Sequence, residues 1–200
     1  IREKALGKDH QEVAESLTLL GRIALSTARY AEAERFLNPA LDITVKRFGV
    51  DHEDTVPVLS LLGRLASSRG NYAEAEERHK KVLEIREKTL DPDHPDIIQS
   101  YGTLARLYVK TSKLAEAESL SRRVIALREK TRGKDHPSIA GSLDNMAELF
   151  EIMGRYPDAE SLRLRSLEIR EKRLGKDHPR LTMAVINLAD LYKNMSQYDK

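Results

Sequence analysis

The sequence contains no cysteine and no tryptophan, and aromatic side chains make up only 5% of its 200 residues. The absence of cysteine removes disulfides, thiolate zinc sites and cysteine nucleophiles together. No apolar run approaches the roughly 20 residues needed to cross a bilayer, and no apolar leader follows Ile1. An excess of either charge is also missing. Lys and Arg number 34 against 32 Asp and Glu, and a net charge of +2 argues against general nucleic-acid binding. No nucleophile motif, phosphate-cradling glycine loop or HExxH is present. The expectation is a cytoplasmic protein without catalysis, cofactor, metal or membrane insertion. Because the chain opens on Ile1 rather than Met, it reads as a stretch of a longer protein.

What is present is a repeat. Asp-His recurs at 9–10, 51–52, 93–94, 135–136 and 177–178, a constant step of 42 residues. Tyr30, Tyr72, Leu114, Tyr156 and Tyr198 keep that step, as do Ala33, Ala75, Ala117 and Ala159, each followed by Glu. IREK at 1–4 returns at 85–88 and 169–172, with LREK at 127–130 and a looser ITVK at 43–46. Several rows in one register mark a repeat architecture, in which each unit buries its apolar face against its neighbours.

Within each unit the period is helical. Ile97, Tyr101, Leu104, Ala105 and Tyr108 recur at steps of three and four. On 72–90, Ala75, Val82, Leu83 and Leu90 form one face. Glu74–Arg78, Glu76–Lys80, Glu77–Lys81 and Glu84–Lys88 are expected i,i+4 pairs on the other, each contributing about 0.2–0.5 kcal/mol. Links such as LDPDHP (90–95) place Asp or His as helix cap and Pro at the first helical position. No β-alternation appears. The segmentation is residues 1–7 as the end of a preceding second helix, then 8–49, 50–91, 92–133 and 134–175 as whole repeats. Residues 176–200 form a fifth first helix. Pro39 falls inside a second helix and is expected to kink or shorten it. Pro57 is tolerable if its helix begins near Asp54 or Thr55.

The small-residue row Gly21, Gly63, Ala105, Ala147 and Ala189, followed by Tyr-x-x-Ala-Glu, resembles the tetratricopeptide repeat. With IREKxLGxDHP on the long second helix, it is similar to the 42-residue form of kinesin light chains and nephrocystin-3-like proteins. HEAT-type repeats have similar length but leave these rows unexplained. The resemblance implies an all-α, right-handed αα superhelix of four helical hairpins plus a fifth first helix. It also implies a concave groove, lined by the first helices, that binds a protein or peptide partner.

Counted from the small-residue row, the resemblance assigns groove positions. Two residues before it stand Leu19, Leu61, Thr103, Asn145 and Asn187. One residue after it stand Arg22, Arg64, Arg106, Glu148 and Asp190. Asn at the first position holds ligand backbone in the family, and only Asn145 and Asn187 match. The site expected from the sequence is therefore Leu19, Arg22, Leu61, Arg64, Thr103 and Arg106, with Asn145 and Asn187 as backbone holders. Leu beside Arg suits an extended acidic segment with an apolar anchor, because guanidinium groups bind carboxylates bidentately and stack on rings. Kinesin light chain cargo recognition is comparable by resemblance. Gly102 would leave space for a bulky ligand side chain, with Val109 and Lys110 bordering. The competing reading pairs each Arg with a neighbouring acid such as Glu12 or Glu15, at little gain.

The five equally spaced histidines cannot share a metal ion, because adjacent helices lie about 8–10 Å apart; they read as caps. His79 reads as a packing residue. Basic clusters at Arg122-Arg123, Arg163/Arg165 and Arg170/Lys172/Arg173 sit on second helices, where they could meet an acidic partner or surface. Leu188, Leu191 and Tyr192 on the last helix are expected to expose an apolar face. That face makes repeat-mediated self-association an alternative function; a regulatory sensor module of a larger signalling protein is another.

Overall fold

In the computed structural model of the protein, residues 7–175 and 178–198 are described, the side chains of residue 180 and residues 196–198 excepted. Among these residues there are nine α-helices and no strand. They are α1 (Gln11–Ser26), α2 (Tyr30–Phe48), α3 (Val56–Ser68), α4 (Tyr72–Thr89), α5 (Pro95–Lys110), α6 (Leu114–Arg132), α7 (Pro137–Ile152), α8 (Tyr156–Leu174) and α9 (Thr182–Tyr198). Short 3-10 turns at Glu53–Thr55 and Pro179–Leu181 precede α3 and α9. The chain divides into two compact units, residues 1–100 and 101–200, and the division falls inside α5.

The conserved step of the sequence becomes conserved hydrogen bonding at both ends of the first helices. At their starts, Nδ1 of His10, His52, His94 and His136 accepts from the backbone N–H two residues on, at 3.2–3.3 Å. A side-chain acceptor there satisfies one of the amides that a helix start leaves unpaired. At their ends, the amides of Arg29, Asn71, Lys113 and Arg155 donate to the carbonyls of Ala24, Ala66, Tyr108 and Phe150 at 2.8–2.9 Å. Each bond reaches back five residues, which requires a left-handed residue just before the donor. That residue is Gly70 (φ 80°) and Gly154 (φ 71°) in two turns, but Ala28 (φ 56°) and Ser112 (φ 57°) in the others.

Hairpin packing rests on the alanines of Tyr-x-x-Ala-Glu: Ala33, Ala75, Ala117 and Ala159 are all fully buried. In the first unit Leu37, Val58, Leu62 and Leu65 form the core with Ala24 and Ala33. In the second, Ile139, Leu143, Met146, Phe150, Ile169 and Leu191 do the same. Burying side chains of this size stabilises by roughly 1.5–3 kcal/mol each. The glycines of the small-residue row allow close approach. A Cβ on Gly21 would lie 2.5 Å from Leu37 Cγ and Cδ2, and one on Gly63 would lie 2.7 Å from Cε1 of the buried His79.

Three expectations are corrected. Pro39 does not shorten its helix: α2 runs through it for 19 residues, as long as α6 and α8. The carbonyl deprived of a donor belongs to Arg35, which is exposed, as is Pro39, so water can satisfy it. Lys81 does not pair with Glu77; it binds Asp51 and Glu84 instead, while Glu74–Arg78, Glu76–Lys80 and Glu84–Lys88 form. On α9, Leu191 is fully buried and Leu188 packs on the same core; the exposed apolar residues are Met183, Val185, Ile186 and Tyr192. Pro57 does occupy the first turn of α3.

Candidate functional site

The first-helix positions fall into two sets, one in each unit. In the first unit, Leu19 is 47% exposed on α1, beside Leu20 (44%) and Ile23 (46%), which the row-by-row reading passed over. Leu61 behaves differently. It is buried at 7% within the core of the unit, which leaves little surface for the groove-floor position expected of it. Arg22 and Arg64 are both exposed. Among the described residues neither makes an ion pair or a side-chain hydrogen bond, and the suggested partners Glu12 and Glu15 do not reach them.

In the second unit, the sequence-predicted Arg106 and Asn145 come together. Both line a small cleft, with Gly102 and Val109 also from α5, Ser121, Val124 and Arg128 from α6, and Ser142 from α7. Lys110 lies outside the lining. Thr103 is half-buried and accepts a long bond from Arg106 Nη2 at 3.5 Å. Asn187 stands half-buried on α9, apart from the cleft. The cleft has a compositional cause. Ser121 holds the register position of Leu37 and His79, whose side chains fill the space beside Gly21 and Gly63. With a short side chain there, about 50 Å³ of water-accessible space remains.

Arg128 is the residue that the sequence reading missed. It is half-buried, and its Nη1 donates to the Ser138 carbonyl at 2.8 Å and to the Ser142 hydroxyl. Burial lowers its pKa, and the cations Arg132 and Arg106 lower it further. A guanidinium titrates so high that it stays charged regardless.

The basic clusters on the second helices are largely occupied within the protein. Arg122 binds Glu118, and Arg123 lies 4.2 Å from the Tyr101 ring centre. Arg163 binds Glu151 at 2.8 Å, Arg165 binds Glu129, Arg170 binds Asp144, and Lys172 binds Glu168 and Asp135. On the first helices, by contrast, Arg22, Arg64 and Arg106 are exposed and none makes an ion pair among the described residues. No helix among the described residues is long and apolar enough to cross a membrane.

Paired helices, a fully buried alanine row and a repeated His cap define a helical-repeat protein. The profile of the tetratricopeptide repeat matches residues 23–88, 54–130, 96–172 and 138–200, and the chain belongs to that family. Among solved structures it is similar to a kinesin light chain-type protein of Podosopora anserina with nearly identical TPR-like repeats. That protein is 28% identical, with a TM-score of 0.81 over 94% of this chain and 89% of the other. BtubC (BKLC) from P. vanneervenii matches at 19% identity and TM-score 0.77, over 94% of this chain and 75% of its own. The apo form of RapI matches at 18% and 0.69, over 80% and 57%. These two share the fold. No curated protein matches the chain in sequence. The fold is the all-α repeat superhelix of the family, a protein-interaction scaffold.

Proposed function

We propose that the first helices of this scaffold bind an extended acidic segment carrying an apolar anchor, in the manner that kinesin light chain resemblance suggests. The observation that carries this reading is the contrast between two sets of arginines. Half of those on the second helices, Arg163 and Arg170 among them, are held by an internal acid, whereas Arg22, Arg64 and Arg106 on the first helices all stand exposed and without one among the described residues. An exposed guanidinium without an internal partner keeps its full capacity for a ligand carboxylate. On α1 the exposed Leu19, Leu20 and Ile23 provide an apolar contact beside Arg22. Arg106 and Asn145 provide the corresponding cation and amide in the second unit.

The test is a fluorescence polarisation titration with labelled peptides rich in Asp and Glu around one aromatic residue. Arg64→Glu combined with Arg106→Glu should abolish binding while far-UV circular dichroism stays unchanged. Undiminished affinity in that variant would remove the arginine row from the site.

A further inference from the structure

Arg86, Arg128 and Arg170 occupy one register position of the second helix, the Arg of the IREK and LREK motifs. Two of them have a carboxylate. Arg86 lies 3.7 Å from Asp96, and Arg170 lies 2.5 Å from Asp144. Arg128 makes no ion pair among the described residues. The reason can be read at two positions. The residue corresponding to Asp96 is Ser138, and the residue corresponding to Asp144 is Gly102. Both places from which its counterparts draw an acid carry none.

The consequence is a half-buried cation with donors to spare. A guanidinium has five N–H groups, and only Nη1 of Arg128 has partners among the described residues. Buried polar atoms lacking a partner are, among the described residues, Gln11 Oε1 and Arg78 Nε; the remaining Arg128 edge therefore stays within reach of solvent. That residue lines the same cleft as Gly102, Arg106, Ser142 and Asn145. A Cβ built on Gly102 would meet nothing nearer than Arg106 Nη1 at 3.9 Å and Val124 Cγ2 at 4.0 Å, so the space an Asp would take is open. A volume of about 50 Å³ accepts a few water-sized groups, enough for the three heavy atoms of a carboxylate.

We propose that this cleft is a carboxylate subsite: an Asp or Glu side chain of the bound segment enters beside Arg128 and Arg106. There it takes the place that Asp144 fills beside Arg170. The partner is thus a peptide that supplies the acid this repeat lacks. The inference rests on the reading of the first helices as the peptide-binding face, and it adds a specific position to that reading.

The experiment separates the two. The side-chain Nε–H resonance of Arg128 is followed by NMR in the whole chain during titration with sodium acetate, with sodium chloride at matched ionic strength, and with inorganic phosphate. Acetate should shift the resonance saturably and chloride should not. In Gly102→Asp, which restores the internal acid, the resonance should start displaced and no longer respond to acetate. The same variant should weaken an acidic peptide about tenfold or more, as expected for losing a charge-assisted pair, while Gly102→Asn should weaken it less. An Arg128 resonance that ignores acetate, or follows acetate and chloride alike, overturns the subsite. A tighter saturable response to phosphate than to acetate overturns the carboxylate assignment in favour of a phosphoryl group. Because acetate needs no peptide, the subsite can fail while the Arg64 and Arg106 test still succeeds, and the reverse.

Discussion

An alanine at Gly21 would set a methyl carbon 2.5 Å from both Cγ and Cδ2 of Leu37. Ordinary carbon contacts lie near 3.5–4.0 Å, so Leu37 has to move by about an ångström. It has nowhere to go: its side chain is fully buried, in one core with Ala24, Ala33 and Ala40. Overpacking of this kind costs about 1–3 kcal/mol. Against it stands the gain of replacing glycine in a helix interior, about 1 kcal/mol. The net expectation for Gly21→Ala is a loss of roughly 0–2 kcal/mol, by combining those two ranges. The sharper test is the same substitution made in a Leu37→Ala background. There the obstructing atoms are gone, so Gly21→Ala should stabilise by up to about 1 kcal/mol, although Leu37→Ala itself costs about 2–5 kcal/mol. Urea unfolding of the four variants, followed by circular dichroism at 222 nm, closes the double-mutant cycle. A Gly21→Ala midpoint above that of the parent would refute the close-approach account. So would effects that add within about 0.5 kcal/mol.

Two other substitutions probe local features. Ala28→Gly and Ser112→Gly remove a side chain from a left-handed turn position that Gly70 and Gly154 occupy elsewhere. Each should raise stability by up to about 1 kcal/mol, the left-handed penalty less the added freedom of the unfolded chain; an unchanged or lowered melting temperature would contradict this. Burial acts to raise the pKa of Glu118, but hydrogen bonds from Arg122 and Arg155 outweigh it and leave the carboxyl below its ordinary 4.5. A depressed folded pKa means stability that is fully present above the ordinary value and lost as pH falls through the folded one. The stability gap between the parent and Glu118→Gln should therefore be constant above pH 4.5 and shrink on acidification below it. Denaturant midpoints measured across that range check it, and a gap that widens toward acid would refute the assignment.

The hairpin pattern was legible because it is local. The 42-residue rows located helix ends to within a turn, and the histidine caps and the tolerance of Pro57 follow from interactions two to four residues long. What failed was longer-ranged or depended on orientation. Lys81 prefers Asp51, 30 residues away, over the i,i+4 partner on its own helix. Leu61 shares a row with Leu19, yet one is core and the other surface. The sequence alone could not reveal that difference, because the row fixes a position on the helix and not what packs against it. Arg128 was hidden for a related reason. It belongs to a scaffold row, and its distinction lies in what Ser138 and Gly102 fail to supply. Comparing columns 96 with 138 and 144 with 102 would have exposed it.

The turn that closes each hairpin has a consequence for how such a chain changes over generations. Its hydrogen bonds reach back only five residues in every copy, and the alanine beneath it meets the same fully buried environment each time. The turn of a hairpin is thus self-contained, while its apolar face is buried against the hairpin that stands next in the same register. A duplication or deletion cut in any common register, provided it spans 42 residues, joins ends that already fit, because the rows that pack between neighbours repeat with the same step. The first-helix positions proposed to face a ligand travel with each unit. A lineage can lengthen the array, or shuffle which acid-deficient column sits beside which neighbour, without reinventing the joint.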